Sequence, residues 1–218
     1  MKIDFSSAIV TGGGGVRSRV EEARMFYSSE CSDYFDDIMS RRGEAFRDSA
    51  TGFLLLDGLL QKNRIDRLEL KISVDEHGRP HTNRSDLDFS VSHSEGCAVC
   101  AVAIGEGANL GVDVQRARNY SPEKMTLLAK TFMSDEELAA FYYSNKNSGE
   151  FFTAWTHREA YVKRVGLDIF DNLKNADLRD ERFRDGLIAC CGHRYYYSIN
   201  LPKNYKDDDE QSADKENK

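Results

Sequence analysis

Apolar residues recur at helical spacing from about Ser32 to Gln61, where Phe46, Phe53, Leu54, Leu56, Leu59 and Leu60 form one stripe. Leu68 to Val74 alternates with the period of a strand, and Asp75-Glu76-His77-Gly78-Arg79-Pro80 then supplies turn chemistry. Phe89-Ser90-Val91-Ser92 predicts a short strand. Ser94-Glu95-Gly96 turns it into an apolar strand over Cys97–Ile104, and Gly105 to Asn109 turns again into Leu110–Val114. This middle section reads as an antiparallel meander. Three helices are expected next. Ser121-Pro122 opens the first, with Ser as the cap and Pro at the first helical position. Ser134-Asp135-Glu136-Glu137 is a capping box for the second. Ser148 starts the third and Gly166 ends it. Leu187–Cys191 and Tyr195–Leu201 around Gly192-His193 read as a hairpin. Strands come in runs without intervening helices, so the class is α+β rather than doubly wound α/β.

Gly12 to Gly15 lacks the Gly-Lys-Ser/Thr ending of a phosphate loop, and no strong strand pattern precedes it, so it reads as a linker or turn. The chain has 218 residues, enough for one sizeable core or two small fused subdomains. Lys206 to Lys218 holds three Lys against six Asp or Glu and no large apolar residue. Such a segment cannot bury enough surface to offset its ordering, and it is expected to be a disordered acidic tail. It carries about three of the seven formal negative charges, which leaves the rest mildly acidic. This is no electrostatic footprint for nucleic acid. No apolar run approaches the ~20 residues that span a bilayer, and Met1-Lys2-Ile3-Asp4-Phe5 has no signal pattern. Five cysteines, an odd number with two adjacent, fit a reducing cytoplasm. Cys97 and Cys100 make a CxxC, but residues three apart on a strand point to opposite faces, so the pair reads as structural.

The candidate chemistry lies in two blocks. Leu110-Gly111-Val112-Asp113-Val114-Gln115 places a carboxylate inside a β-branched strand. Trp155-Thr156-His157-Arg158-Glu159-Ala160-Tyr161-Val162-Lys163 places another on a helix whose buried face is Phe151, Phe152, Trp155, Val162 and Val165. Glu159 lies four residues after Trp155 and four before Lys163, in one row, with Arg158 beside it. Alone, the Glu159–Lys163 pair would be a surface helical pair worth ~0.3–0.5 kcal/mol. A second embedded acid changes that reading, because facing carboxylates need a cation between them. Oxygen ligands on an ion that also touches phosphate are typical of Mg²⁺. Ser92-His93, at a strand end, and the kink Gly78-Arg79-Pro80, with an exposed cation, together suit an anionic ligand at the mouth of the sheet.

In this order, Gly-Arg-Pro, Phe-Ser-Val-Ser-His-Ser, Gly-Val-Asp-Val and Trp-x-x-Arg-Glu-Ala-x-x-Lys, the chain resembles the 4′-phosphopantetheinyl transferases, in their pseudo-dimeric, Sfp-like branch, from roughly Phe46 to Gly166. The resemblance implies two similar α+β halves, each a small antiparallel sheet packed with helices: residues 1–104, and residues 105–205 carrying the metal site, ahead of the tail 206–218. It implies transfer of the phosphopantetheine arm of coenzyme A to a serine of an apo acyl or peptidyl carrier protein, releasing adenosine 3′,5′-bisphosphate, by a monomer without nucleic-acid or membrane partners. Asp113 and Glu159 would ligate Mg²⁺, with Gln115 where many relatives carry Glu. Lys163 and Arg158 would hold the pyrophosphate, and Glu136 matches an acidic position linked to the active site. Gly78, Arg79 and Pro80 would meet the nucleotide, Ser92 and His93 its phosphates. Arg41, Arg42 and Arg47 are candidates for the 3′-phosphate. The competing expectation is a non-catalytic binder of coenzyme A or of a carrier protein, which Gln115 and the short segment after Lys163 would suit.

Overall fold

The computed structural model describes residues 1–10, 14–76, 78–167, 173–174, 176–203 and 205. The predicted acidic tail, Lys206 to Lys218, and Gly12 and Gly13 of the predicted turn lie outside the described residues. Strand β1 (Lys2–Ile9) is followed by α1 (Val16–Arg24), α2 (Ser32–Ser40), α3 (Gly43–Lys62), a ribbon of β2 (Ile72–Val74) and β3 (Pro80–Thr82), then β4 (Leu87–Ser94) and β5 (Cys97–Ile104). After β6 (Gly111–Arg116) come α4 (Pro122–Phe132), α5 (Asp135–Tyr143) and α6 (Ser148–Val165), then β7 (Phe183–Cys190) and β8 (His193–Asn200).

The helix starts follow their local chemistry. Ser121 accepts from the Lys124 N–H with Pro122 at the first turn, Ser134 and Glu137 form a reciprocal capping box, and Gly166 ends α6 in the left-handed region at φ 71°. Three expectations need correction. The helical stripe over 32–61 is two helices, broken where Arg41 and Arg42 turn extended. Only Ile72–Val74 of the Leu68–Val74 pattern forms a strand. A strand does precede the Gly-rich segment, because β1 pairs along its whole length with β5 from Lys2↔Ile104 to Ile9↔Cys97. Its Ser6 and Ser7 blur the alternation, and pairing rather than propensity holds it.

The meander also divides. β4 and β5 are a hairpin, but β6 leaves it for a second sheet. The first sheet runs β1-β5-β4 and the second β6-β8-β7, both wholly antiparallel. In each, the last strand sits between the first and the middle one. Cys97, Val99, Ala101 and Ala103 of β5 face Val112, Val114 and Ile199 of the second sheet. The other face of β5, with Cys100 and Val102, packs on Phe53, Leu56 and Leu60 of α3. Cys97 and Cys100 therefore lie on opposite faces, as the strand reading requires. Helix α6 covers the outer side of β6 and β8, giving an order of helix, sheet, sheet, helix.

The two sheets meet along β4 and β6 without a backbone ladder. Side chains of β4 replace it. Asp88 Oδ2 accepts from the Leu110 N–H (2.8 Å), Ser90 Oγ from Val112 (3.1 Å), Ser92 Oγ from Val114 (3.4 Å) and Ser94 Oγ from Arg116 (3.1 Å). Every pair is 22 residues apart, so the strands run parallel in fixed register. Edge N–H groups that would otherwise be buried without partners are satisfied this way.

Gly111 sets how closely α6 approaches β6. A Cβ there would stand 1.9 Å from the Ala160 carbonyl oxygen and 2.7 Å from the Arg164 nitrogen. Gly111→Ala is expected to destabilise the fold by at least about 2 kcal/mol through overpacking. Gly58, exposed in α3 with nothing within 4 Å of its Cβ position, gives the opposite sign. Gly58→Ala should stabilise by roughly 0.5–1 kcal/mol by restricting the unfolded chain. Urea melts of the two variants check both signs.

Candidate functional site

Alternation on β6 turns Gly111, Asp113 and Gln115 toward α6, and the close contact at Gly111 brings the helix onto them. Asp113 and Glu159 are both buried, at 5% and 9% exposure. Lys163 Nζ donates to Asp113 Oδ1 at 2.7 Å and to Ser92 Oγ at 2.9 Å, and the Ser92 hydroxyl donates to the same Asp113 oxygen at 2.8 Å. The second oxygen, Asp113 Oδ2, is buried with no hydrogen-bond partner. Burial, and then the charge of Asp113, push the Glu159 carboxyl up to about 7, against the opposing pull of Lys163. Two buried acids with one cation between them, and one oxygen left over, are short of positive charge.

An oxygen-seeking divalent ion would supply it, so the donor set fits Mg²⁺. Among the described residues no three His, Cys, Asp or Glu side chains are grouped to hold a metal. The protein offers two carboxylates, with the Gln115 amide on the same face of β6.

A cavity of about 580 Å³ opens on the other side of β4. Gly78, Pro80, His93, Arg41 and Ser49 line it, with Phe53 and Val91 as apolar wall. Ser92 and His93 are neighbours on a strand and so face opposite ways, Ser92 toward Asp113 and His93 into the cavity. His93 Nδ1 lies 3.5 Å from Asp48 Oδ2. Burial holds the imidazole below its ordinary range, and Asp48 opposes this while Lys163 and Arg41 add to it. The cavity and the acidic pair thus share one electrostatic neighbourhood.

Five expected site residues sit elsewhere. Arg158 is 1% exposed and pairs through both terminal nitrogens with Glu137, beside the Phe132 ring. It fastens α5 to α6 and does not reach the acidic pair. Glu136 is on the exposed side of the first turn of α5, where its carboxylate accepts from the Ser134 hydroxyl at 3.0 Å. Its neighbour Glu137 is the inward acid. Arg79 is not an exposed cation. Its guanidinium bonds Asp88 at 2.8 Å and caps the end of α6 through the carbonyls of Lys163 and Arg164, the latter at 2.9 Å. Helix-end carbonyls without intrahelical partners attract such a group. Arg47 is half-buried and outside the cavity lining, whereas Arg41 is in it, bonded to Ser49 at 2.7 Å and Asp37 at 2.8 Å. Arg42 donates to the Met39 and Arg41 carbonyls. Val165, expected on the buried face of α6, is 36% exposed.

Sequence reading also missed Asp48 and Glu137. Asp48 sits two residues from Phe46 and Ala50 on a helix, where a buried acid is the only signal, and its partner is 45 positions away.

The structure defines an α+β protein of two three-stranded sheets whose shared seam carries an acidic pair beside a cavity. Residues 109–212 match the model of the 4′-phosphopantetheinyl transferase superfamily. The chain is similar to a 4′-phosphopantetheinyl transferase of Paxillus involutus, 31% identical over 68% of this chain and 64% of that one. It is also similar to one from Aneurinibacillus migulanus, 26% identical over 58% of this chain and 51% of the relative, and one from Bacillus subtilis, 23% identical over 67% and 58%. It therefore spans about half to two thirds of the length of these curated relatives.

The pH dependence of stability follows from Glu159. An isolated glutamate titrates near 4.5 and the folded one near 7, so the folded state keeps a proton that the unfolded state releases. Stability therefore falls as pH rises from about 4.5 to 7 and stays lowered above. In metal-free buffer, Glu159→Gln should melt higher than wild type at pH 8 and close to it at pH 5, an effect on the order of 1–3 kcal/mol. Added Mg²⁺ should raise the wild-type melt at pH 8 and not that of the variant. A variant that melts lower at both pH values would contradict the assignment.

Proposed function

We propose that the chain moves the 4′-phosphopantetheine arm of coenzyme A onto a serine hydroxyl of an apo acyl or peptidyl carrier protein and releases adenosine 3′,5′-bisphosphate. The Asp113–Glu159–Lys163 cluster beside the Arg41–His93 cavity carries this reading, together with the superfamily match over the residues that contain the cluster. In it, Asp113 and Glu159 hold Mg²⁺ with Gln115 alongside, and the ion, when bound, neutralises charge on the pyrophosphate. Such transfer needs positioning and charge more than covalent chemistry from the protein.

Each residue then has a task. Ser92 fixes the Asp113 carboxylate by its hydrogen bond. Lys163 is the cation for the pyrophosphate, a part Arg158 cannot share because Glu137 engages it. Glu159 has two oxygens, one for the ion and one free to accept the proton of the incoming serine. Glu136 is the less suitable base, because it borders a separate cleft near Arg179. Gly78, Pro80, His93 and Arg41 bound the space for the nucleotide end, and Arg79 supports that wall from behind by its bonds to Asp88 and α6. Two fused halves, 1–104 and 105–205, would let one copy act alone as a member of the Sfp-like branch. The five cysteines are free thiols, which suits a reducing cytoplasm. Among the described residues no helix is long and apolar enough to cross a membrane.

Incubation with coenzyme A, Mg²⁺ and an apo carrier protein should add a phosphopantetheine mass to the carrier. Coenzyme A binding without that mass would favour the non-catalytic alternative. Asp113→Ala should keep the fold and lose transfer by at least about 100-fold, since a metal clamp on a charged transition state is worth several kcal/mol. Near-normal turnover would remove the reading.

Gln115 supplies a neutral oxygen. Affinity for hard cations rises with the number of charged ligands. Gln115→Glu should therefore lower the Mg²⁺ concentration for half-maximal rate with less effect on the saturated rate. An unshifted titration would place the amide away from the ion.

A further inference from the structure

The tip of the β7–β8 hairpin carries two thiols in contact, and the carboxylate site does not use them. Cys190 pairs with His193 across the hairpin, leaving Cys191 and Gly192 as a two-residue turn with φ 52° and 75°. Both central residues at positive φ make the turn type I′, for which Asn-Gly, Asp-Gly or Gly-Gly is the favoured pair. Cys191 has no short polar group to stabilise the left-handed region, so the chain holds a sulfur where the backbone prefers another residue. Consecutive strand residues normally point to opposite faces. The turn cancels that separation, and the Sγ atoms lie 3.3 Å apart with Cys191 exposed.

The spacing selects among thiol chemistries. Adjacent Cα atoms across a trans peptide are about 3.8 Å apart, below the roughly 4.4 Å that disulfides usually need, so an S–S bond here would be strained and easily reduced. A tetrahedral ion with bonds of about 2.3 Å wants sulfurs about 3.8 Å apart and two further ligands. Among the described residues no third group stands ready to hold a metal. With the same bond length, about 2.3 Å, sulfurs 3.3 Å apart subtend roughly a right angle at a bridging atom. That angle suits a pyramidal trivalent centre, which keeps a lone pair and needs only one further substituent.

We propose that Cys190 and Cys191 form a chelating site for a trivalent arsenical. With phenylarsine oxide, two S–H bonds and the arsenic–oxygen bond break and two As–S bonds form. Both thiol protons leave with the oxygen as one water, and no electrons are transferred. The second thiol acts at high effective concentration once the first has bound, so the chelate resists monothiols. The other three cysteines are buried. Cys97 is the nearby inert thiol, raised to about 11 mainly by burial with a contribution from Cys190.

The test is intact mass of the full chain after phenylarsine oxide and then a large excess of glutathione. Wild type should keep one phenylarsenic group, mapped to the peptide holding both thiols and released by a 1,2-dithiol. Cys190→Ser and Cys191→Ser, shown folded by thermal melts, should lose it to glutathione. Cys191→Asn should lose it too and melt higher than wild type, because the turn gains a favoured residue. Loss of the group from wild type in glutathione, retention by either serine variant, or mapping to another cysteine would overturn the proposal. If a variant fails to fold, the mapping in wild type decides.

Discussion

Four side chains on one strand, Asp88, Ser90, Ser92 and Ser94, hold this protein's two sheets in register by accepting from alternate N–H groups of β6. A direct backbone ladder would bring the strands closer and leave no room for side chains between them. Short hydroxyls keep the strands slightly apart while satisfying the edge. Because the side-chain period is two, the same alternation that spends even positions of β4 on the seam turns Val91 and His93 toward the cavity. One strand therefore links the acidic pair to the cavity. A slip of one residue would put Phe89, Val91 and His93 where the serines stand and dismantle both.

The charges of the molecule divide by partner rather than by motif. Arg158 and Arg79 stand in the blocks that carry the family resemblance, yet both are spent on cohesion. Arg158 answers Glu137, which itself caps α5, so a single acid closes a helix start and ties two helices. Arg79 answers Asp88 and the carbonyl end of α6, and so joins the ribbon of the first sheet's side to the last helix. Arg158 and Asp88 are buried, so loss of the partner would leave either one charged and dry. Lys163 differs. It is the cation placed directly on the acidic pair, and its partner Asp113 keeps one oxygen unsatisfied. That imbalance distinguishes a site from a brace.

The sequence by itself determined the class, the starts of α4, α5 and α6, and the two blocks that meet. Capping residues, Gly166 and the Cys97–Ile104 run are local signals, and local hydrogen-bond chemistry decides them. Asp113 and Glu159 were legible because a carboxylate inside an apolar pattern demands an explanation from charge alone. Three things were decided only by tertiary structure. β1 exists because β5 pairs with it, β6 belongs to the second sheet because the seam takes its N–H groups sideways, and the break at Arg41–Arg42 puts one arginine against a cavity that includes residues from five other elements. The partners of Arg79, Arg158 and Glu136 were decided the same way. Where Arg79 and Arg158 point depends on acids 9 and 21 residues away and, for Arg79, on carbonyls 84 and 85 away, and no local pattern records what lies across a packed interface.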